Sequence, residues 1–287
     1  MNYLLINGYS RSGSTILEKV LSNHLNSIAV GELNFIWSRG FLRNDSCSCG
    51  KNFRECDFWG KIYNHYKKNK INIKKIENNR KKIDRNRFFL LYEVFKIKNN
   101  KYIKSKNDYK KDIKYLINLI NNYSKKKIII DSSKKPSHSN LINELFDAKN
   151  IHIIRKLNGV ISSYRKEMDY DKKNKIIFKK KSIFKTFIEW TLVNILVSKL
   201  KYNQLILEID NQSFNLKTII NELDFGIYSS SSQGIYHSVS GNPARFKKIT
   251  IFDHKKLKSE IFNPFFSFLL NIHFNFIIKA VRKFNSK

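Results

Sequence analysis

The sequence predicts an α/β fold, a central parallel β-sheet flanked by helices with a basic helical insertion, and three observations support it. Short apolar runs recur at Tyr3-Leu4-Leu5-Ile6, Ile28-Ala29-Val30, Lys127 to Ile130, Ile151 to Ile154 and Leu205 to Ile209, each the length of a buried strand. Between them lie stretches whose apolar residues fall at helical spacing, the alternation that builds strand-helix-strand units. The 287 residues are 41% hydrophobic, with 22 Phe and 14 Tyr, enough for a substantial core, while only three Pro and ten Gly leave little room for linkers. The chain reads as a single domain over 1–287, with the basic insertion at 62–122 and an apolar helix at 261–283.

The first element sets the character of the rest. From Tyr3 to Leu17 an apolar strand breaks at Gly8 into small polar residues, then resumes as Ile16, Leu17, Val20 and Leu21. Gly8 and Gly13 allow a tight turn that aims successive amides at the positive end of the next helix, a ready site for phosphate or sulfate. The spacing matches G-x-x-x-x-G-K-[ST] at Gly8, Gly13 and Thr15, making the sheet P-loop-like, but Ser14 stands where the lysine belongs. Arg11 supplies a cation earlier in the loop. Losing the lysine weighs against ATP or GTP hydrolysis, since that side chain holds the transferring phosphate; anion binding is unaffected.

The next elements follow in order. A helix is expected over Thr15 to His24, then a strand at Ile28 to Val30 that ends at Gly31-Glu32. Glu32 sits where open α/β sheets place ligands, or serves as an acid at the start of a helix over Leu33 to Leu42. The three cysteines, Cys47, Cys49 and Cys56, are not the even set of a disulfide scaffold. A zinc site needs a fourth ligand, for which His24 and His65 are considered; the favoured expectation is buried thiols or one disulfide pair, with Phe58 and Trp59 packed beneath. Residues 62–122 read as helices with basic faces, a candidate for acceptor recognition or a solvated lid.

The strand ending at Ile130 is followed by Asp131-Ser132-Ser133-Lys134-Lys135-Pro136. An aspartate there suits magnesium binding in a kinase that also uses Thr15. Arg155 closes the Ile151 strand, and Ser163 lies eight residues on; a guanidinium fork and a hydroxyl near a helix terminus suit a dianion. Phe184 to Leu200 is an apolar-rich helix with Trp190 and Asn194 in the core. Ser229 to Ser232 with Gly234 read as a flexible loop. Past Pro264 the polar residues Ser267, Asn271, Asn275 and Lys279 recur every fourth position, a helix with a narrow polar stripe. It suits a core or dimer helix, or docking on an anionic membrane.

Taken together, the motifs resemble those of the sulfotransferases that use 3′-phosphoadenosine 5′-phosphosulfate (PAPS). Ser10-Arg11-Ser12-Gly13-Ser14-Thr15 is similar to that family's 5′-phosphosulfate loop. Asp131-Ser132-Ser133-Lys134 is similar to the tract that family carries at the end of the strand over Lys127 to Ile130, and Arg155 with Ser163 to its 3′-phosphate pair. Cys47-Ser48-Cys49-Gly50 with Cys56-Asp57-Phe58-Trp59, and Gly241-Asn242-Pro243-Ala244-Arg245, resemble tracts of a bacterial branch. The family's Arg-Asp-Pro is altered to Arg155-Lys156-Leu157-Asn158, and Glu208-Ile209-Asp210 is a degraded Tyr-Glu-Asp-Leu. The resemblance runs to Phe246 and is thin between Ile62 and Lys126. It implies PAPS as cosubstrate, no metal, and an acceptor hydroxyl on a carbohydrate, lipid-linked glycan or other anionic partner. Glu32 would accept the acceptor proton, with His138 the alternative base; Arg11 and Lys134 would offset charge on the leaving phosphate, Arg245 would join Arg155 and Ser163 on the 3′-phosphate, and Gly241 would let the backbone approach the nucleotide closely.

The formal charge is +32. It suits a polyanionic partner, whether PAPS, an acidic glycan, an anionic membrane or nucleic acid, and equally suits compositional drift towards Lys, Asn and Ile. No nucleic-acid module accompanies it, so a non-catalytic nucleic-acid binder rests on charge alone. With no secretory leader before the first strand, the expected location is cytoplasmic, at most peripheral to the inner membrane.

Overall fold

The computed structural model describes residues 2–165, 168–171, 176–178, 180–200, 202–210, 215–225, 234–247, 249 and 263–285. Its strands are β1 (Asn2–Gly8), β2 (Ser27–Gly31), β3 (Ile128–Lys134), β4 (Ala148–Ile154), β5 (Met168–Asp171), β6 (Ile176–Phe178), β7 (Gln204–Glu208) and β8 (Ile235–Tyr236). Six of them form one all-parallel sheet in the order β7-β4-β1-β3-β2-β8; β5 and β6 pair antiparallel on their own. The helices are α1 (Ser14–His24), α2 (Trp59–Lys68), α3 (Ile73–Ile83), the single turn α4 (Asn86–Phe88), α5 (Asn100–Ser124), α6 (Pro136–Asn143), α7 (Leu157–Arg165), α8 (Ile183–Ser198), α9 (Leu216–Leu223) and α10 (Pro264–Asn285).

Central β1 is apolar on both faces because both are covered. Leu4 and Ile6 join α1 and α9 on one side, while Tyr3 and Leu5 join α2, α3, α5 and α6 on the other, the period-two alternation of a strand. None of the four is more than 1% exposed, and each such burial contributes about 1.5–3 kcal/mol. Gly8 ends the strand at φ 133°, where an added Cβ would lie 2.2 Å from the Ile153 carbonyl oxygen. Only glycine lets the chain leave β1 so close to β4.

Segment 62–122 is more than a basic insertion. α2, α3 and α5 turn Ile62, Tyr66, Ile76, Ile83, Tyr109, Ile113, Leu116, Ile117 and Ile120 into the same core as Trp37 and Phe53, because apolar residues on α5 recur every three or four positions beneath the lysines. The Asn99 side chain accepts from the Tyr102 amide at 2.9 Å to start that helix, and Lys125, left-handed at φ 53°, ends it.

Several boundaries differ from expectation. Asp131 to Lys134 belong to β3 itself, and β8 carries no sequence signal because only two residues pair with β2. Residues 229–232 lie outside the described residues, as do 261 and 262 ahead of α10. α10 packs Leu270, Phe274, Ile277, Ile278 and Val281 against α7 and α8, yet leaves Phe265, Phe268, Ile272 and Phe276 more than half exposed. It is therefore neither a wholly buried core helix nor a polar-faced one; by length and composition it could cross a membrane.

Candidate active site

Since all six strands run the same way, their carboxyl ends share one edge. The chain passes from β1 to β2 on one side and from β3 to β4 on the other, so the switch point at which ligands settle in open α/β sheets lies between the carboxyl ends of β1 and β3. A cavity of about 1460 Å³ opens there. Its wall includes Ser10, Arg11, Gly13, Ser14, Thr15, Glu32, Lys134, Arg155, Ser163 and Gly241. Two of the residues that the sequence assigns to nucleotide binding are not on that wall. Ser12 is buried within the loop, and Arg245 is fully buried, donating to the Gly241 carbonyl at 2.9 Å. Arg245 thus braces the turn from behind, whereas the sequence motif suggests direct contact with the nucleotide.

The loop is held in an anion-ready shape. Arg11 and Gly13 are left-handed at φ 69° and 86°, and the Gly13 carbonyl accepts from the Ile16 and Leu17 amides at 2.9 and 3.0 Å. Helix geometry leaves the Ser14 and Thr15 amides without an acceptor inside α1, at its positive end. Arg155 Nη1 donates to the Arg11 carbonyl at 3.0 Å, the Trp190 indole donates to the Arg155 carbonyl at 3.2 Å, and the Asn242 amide lies 3.4 Å from Thr15 Oγ1. Burial pulls the pKa of Arg11 and Arg155 down, partly offset by Tyr164 and Glu32 for the first and Asp210 for the second. Desolvated cations of this kind favour an incoming anion.

Glu32 faces the same space and is fully engaged. Lys134 Nζ lies 2.5 Å from Oε1; Arg39 Nη1 at 3.3 Å and the Ser240 hydroxyl at 2.8 Å meet Oε2. Burial alone would raise this carboxyl, but the Lys134 and Arg39 charges outweigh it and hold it at about 2. It makes no capping bond to the segment that follows, which is a 3₁₀ turn (Leu33–Phe35) and a π-helix (Ile36–Leu42) in place of the expected α-helix.

Sequence reasoning missed Arg39, which the π-helix swings back onto Glu32, and Lys135, whose ammonium sits 4.4 Å from the Phe35 ring centre. It also missed Tyr9, whose hydroxyl donates to Glu189 at 2.8 Å beside Lys181. Among the described residues, ten Lys or Arg and two Glu line the cavity. The clustering of Lys180, Lys181 and Lys185 was the one available signal.

Asp131 and His138 are sealed below the cavity. Tyr3 and His138 Nε2 meet one Asp131 oxygen, both at 2.8 Å, and the Ser133 amide donates to the other at 2.8 Å. Neither residue is on the wall, and the His138 ring is fully buried. Glu18 lies nearby, accepting from the Gly31 amide at 2.6 Å and the Ser132 hydroxyl at 2.8 Å. Burial pushes its pKa to about 8, against the pull of those two donors.

The Glu18 contribution to stability is therefore complete below its ordinary value of 4.5 and lost as pH rises through about 8. Between these limits the native state should lose about 1.4 kcal/mol per pH unit from this group. Glu18→Gln is expected to gain on the wild type at pH 8 relative to pH 5 in urea melts; parallel pH trends in the two proteins would show that Glu18 does not titrate this way.

The three cysteines are free rather than disulfide-paired; Cys47 and Cys56 are buried thiols, while Cys49 is exposed. They gather around His237 rather than His24 or His65; His65 instead bonds Tyr115 at 2.6 Å. Comparisons with family models, curated proteins and solved structures return no match.

Proposed function

We propose that the protein is a sulfotransferase that moves a sulfuryl group from PAPS to an acceptor hydroxyl on a P-loop-like α/β scaffold. One observation carries the reading: a single cationic cavity collects the amide-lined loop, Arg155 with Ser163, and the Glu32–Lys134 pair. The loop from Ser10 to Thr15 would hold the 5′-phosphosulfate, and Arg155 and Ser163 the 3′-phosphate. Gly241, braced by Arg245, would close against Thr15. The acceptor oxygen attacks sulfur in line, the bond from sulfur to the bridging phosphate oxygen breaks, and 3′-phosphoadenosine 5′-phosphate leaves. The acceptor proton passes to Glu32, while Arg11 and Lys134 balance charge on the departing oxygen.

The kinase reading loses its main support, because both oxygens of Asp131 are engaged away from the cavity. For the acceptor, Leu90, Val94, Phe95, Leu192 and Leu196 give the cavity an apolar wall beside Lys180, Lys181, Lys185 and Lys199. That mixture suits a lipid-linked glycan or glycolipid. The exposed phenylalanines of α10, which packs on α8, would place the mouth at a membrane surface.

Calorimetric titration with 3′-phosphoadenosine 5′-phosphate, without added magnesium, tests the reading. One site of about micromolar affinity or tighter is expected. Absence of binding, together with magnesium-dependent binding of ATP, would replace the sulfotransferase with a kinase.

A further inference from the structure

We infer that Cys47, Cys49, Cys56 and His237 form a structural zinc site that fastens the cavity's closing segment to the body of the protein. The inference does not depend on PAPS as the cosubstrate. Cys49 Sγ and Cys56 Sγ are 3.6 Å apart, and Cys56 and Cys47 Sγ 3.7 Å. His237 Nδ1 lies 3.6 Å from the Cys47 sulfur and 3.3 Å from that of Cys56, and all four donor atoms fall within 4.8 Å of one another.

These are the edges of a metal tetrahedron. With Zn–S about 2.3 Å and Zn–N about 2.0–2.1 Å, ligand sulfurs stand about 3.8 Å apart and sulfur and nitrogen about 3.6 Å. A disulfide would need about 2.05 Å, and with three sulfurs one would always be left over. Three soft thiolates with one imidazole select zinc over magnesium or calcium. Four protein donors leave no open position, as expected of a structural centre; none of the four lines the cavity.

The surroundings are built to hold the donors in place. Gly50, left-handed at φ 90°, donates its amide to the Cys47 carbonyl at 2.9 Å, while the Cys47 amide donates to Lys51 O at 2.8 Å; this folds the Cys-x-Cys turn. The Phe58 ring stacks on His237 with centres 5.2 Å apart, and the Trp59 indole donates to the His237 carbonyl at 2.7 Å. The stacking restrains the imidazole ring and the indole bond anchors the His237 backbone.

The arrangement also has a purpose in the fold. β8 pairs with β2 through only two residues, weak support for the tract that follows. His237 comes directly after β8. Beyond it, Ser238 packs against Gly31, Ser240 bonds Glu32, and Gly241 and Asn242 reach the cavity. A metal at His237 would tie that tract to the loop at residues 47–56, 181 residues away in sequence at its nearest.

The test is metal analysis of the full-length chain purified under reducing conditions without chelator. About one zinc per chain is expected. Refolding with cobalt(II) in its place should give sulfur-to-cobalt charge-transfer bands in the near ultraviolet and tetrahedral bands in the visible. Cys49→Ser, at the exposed corner, should retain the fold yet lower zinc affinity at least about tenfold, and His237→Ala should do the same. Substoichiometric zinc after dialysis against zinc, with no cobalt bands from the wild type, would overturn the site. So would a disulfide between any two of the cysteines in mass spectra of the intact protein.

Discussion

Replacing Arg155 with alanine is expected to weaken binding of 3′-phosphoadenosine 5′-phosphate by about 100-fold or more, since removing one member of a buried, hydrogen-bonded charge pair costs about 2–5 kcal/mol. Arg155 closes β4 at the cavity wall and is only 5% exposed. A planar guanidinium so placed can offer a phosphate two parallel N–H donors, which a lysine cannot reproduce. Arg155→Lys should recover part of the loss. Arg155 also props the loop through the Arg11 carbonyl, so the alanine variant could act on loop shape alone. Adenosine 5′-phosphate, which lacks the 3′-phosphate, separates the two effects. If Arg155 meets the 3′-phosphate, the loss is confined to the bisphosphate in calorimetric titrations. An equal loss for both nucleotides would reduce Arg155 to a loop brace. Ser163→Ala should show the same selectivity at smaller size, about tenfold.

How much of this could be read from the chain depended on how local each signal was. Glu32 and Arg155 were legible because each stands at the end of a short apolar run, and Lys134 because it ends the Asp131-Ser132-Ser133-Lys134 tract that follows such a run. In a parallel sheet such run ends share one edge, so strands recognised singly bring their last residues together. The anion loop was legible because glycines and hydroxyls are required at fixed spacing. Arg39 was not, because it approaches Glu32 only through a π-helix, whose wider turn no periodicity in Ile36 to Leu42 announces. Burial was equally silent. Asp131 follows an apolar run as a magnesium ligand would, yet Tyr3, His138 and Ser133 draw it beneath the sheet edge. Arg245 sits in a motif that suggests contact and instead grips its own turn. His237 was unreadable as a partner of the cysteines, because what joins them is the pairing of β8 with β2, two residues long and distant in sequence.

If the protein is the proposed sulfotransferase, Lys134→Met should cut sulfate transfer by about 10²–10³-fold and, more tellingly, give the pH-rate profile an acid limb that the wild type lacks. In the wild type the Glu32 carboxyl is held at about 2, so it is ionised across pH 5 to 8, and kcat/KM should not fall on mild acidification on its account. The hold comes from Lys134 and Arg39 acting against burial. Removing Lys134 leaves burial opposed chiefly by Arg39, so the carboxyl pKa rises. Below that raised value Glu32 is protonated and unable to accept the acceptor's proton, and the rate should fall as pH falls through it. In the proposed transfer, a phosphosulfate that drew Lys134 towards its bridging oxygen would free Glu32 from the ion pair and make it a stronger base when the proton must move. Glu32→Gln should lose about 10²–10⁴ in rate at every pH while binding 3′-phosphoadenosine 5′-phosphate as the wild type does. Initial rates of radiolabelled sulfate transfer from PAPS to a host glycolipid extract, taken from pH 5 to 8, provide the readout. An acid limb in Lys134→Met that persists when Glu32→Gln is added would assign the titration to another group and remove Glu32 as the proton acceptor.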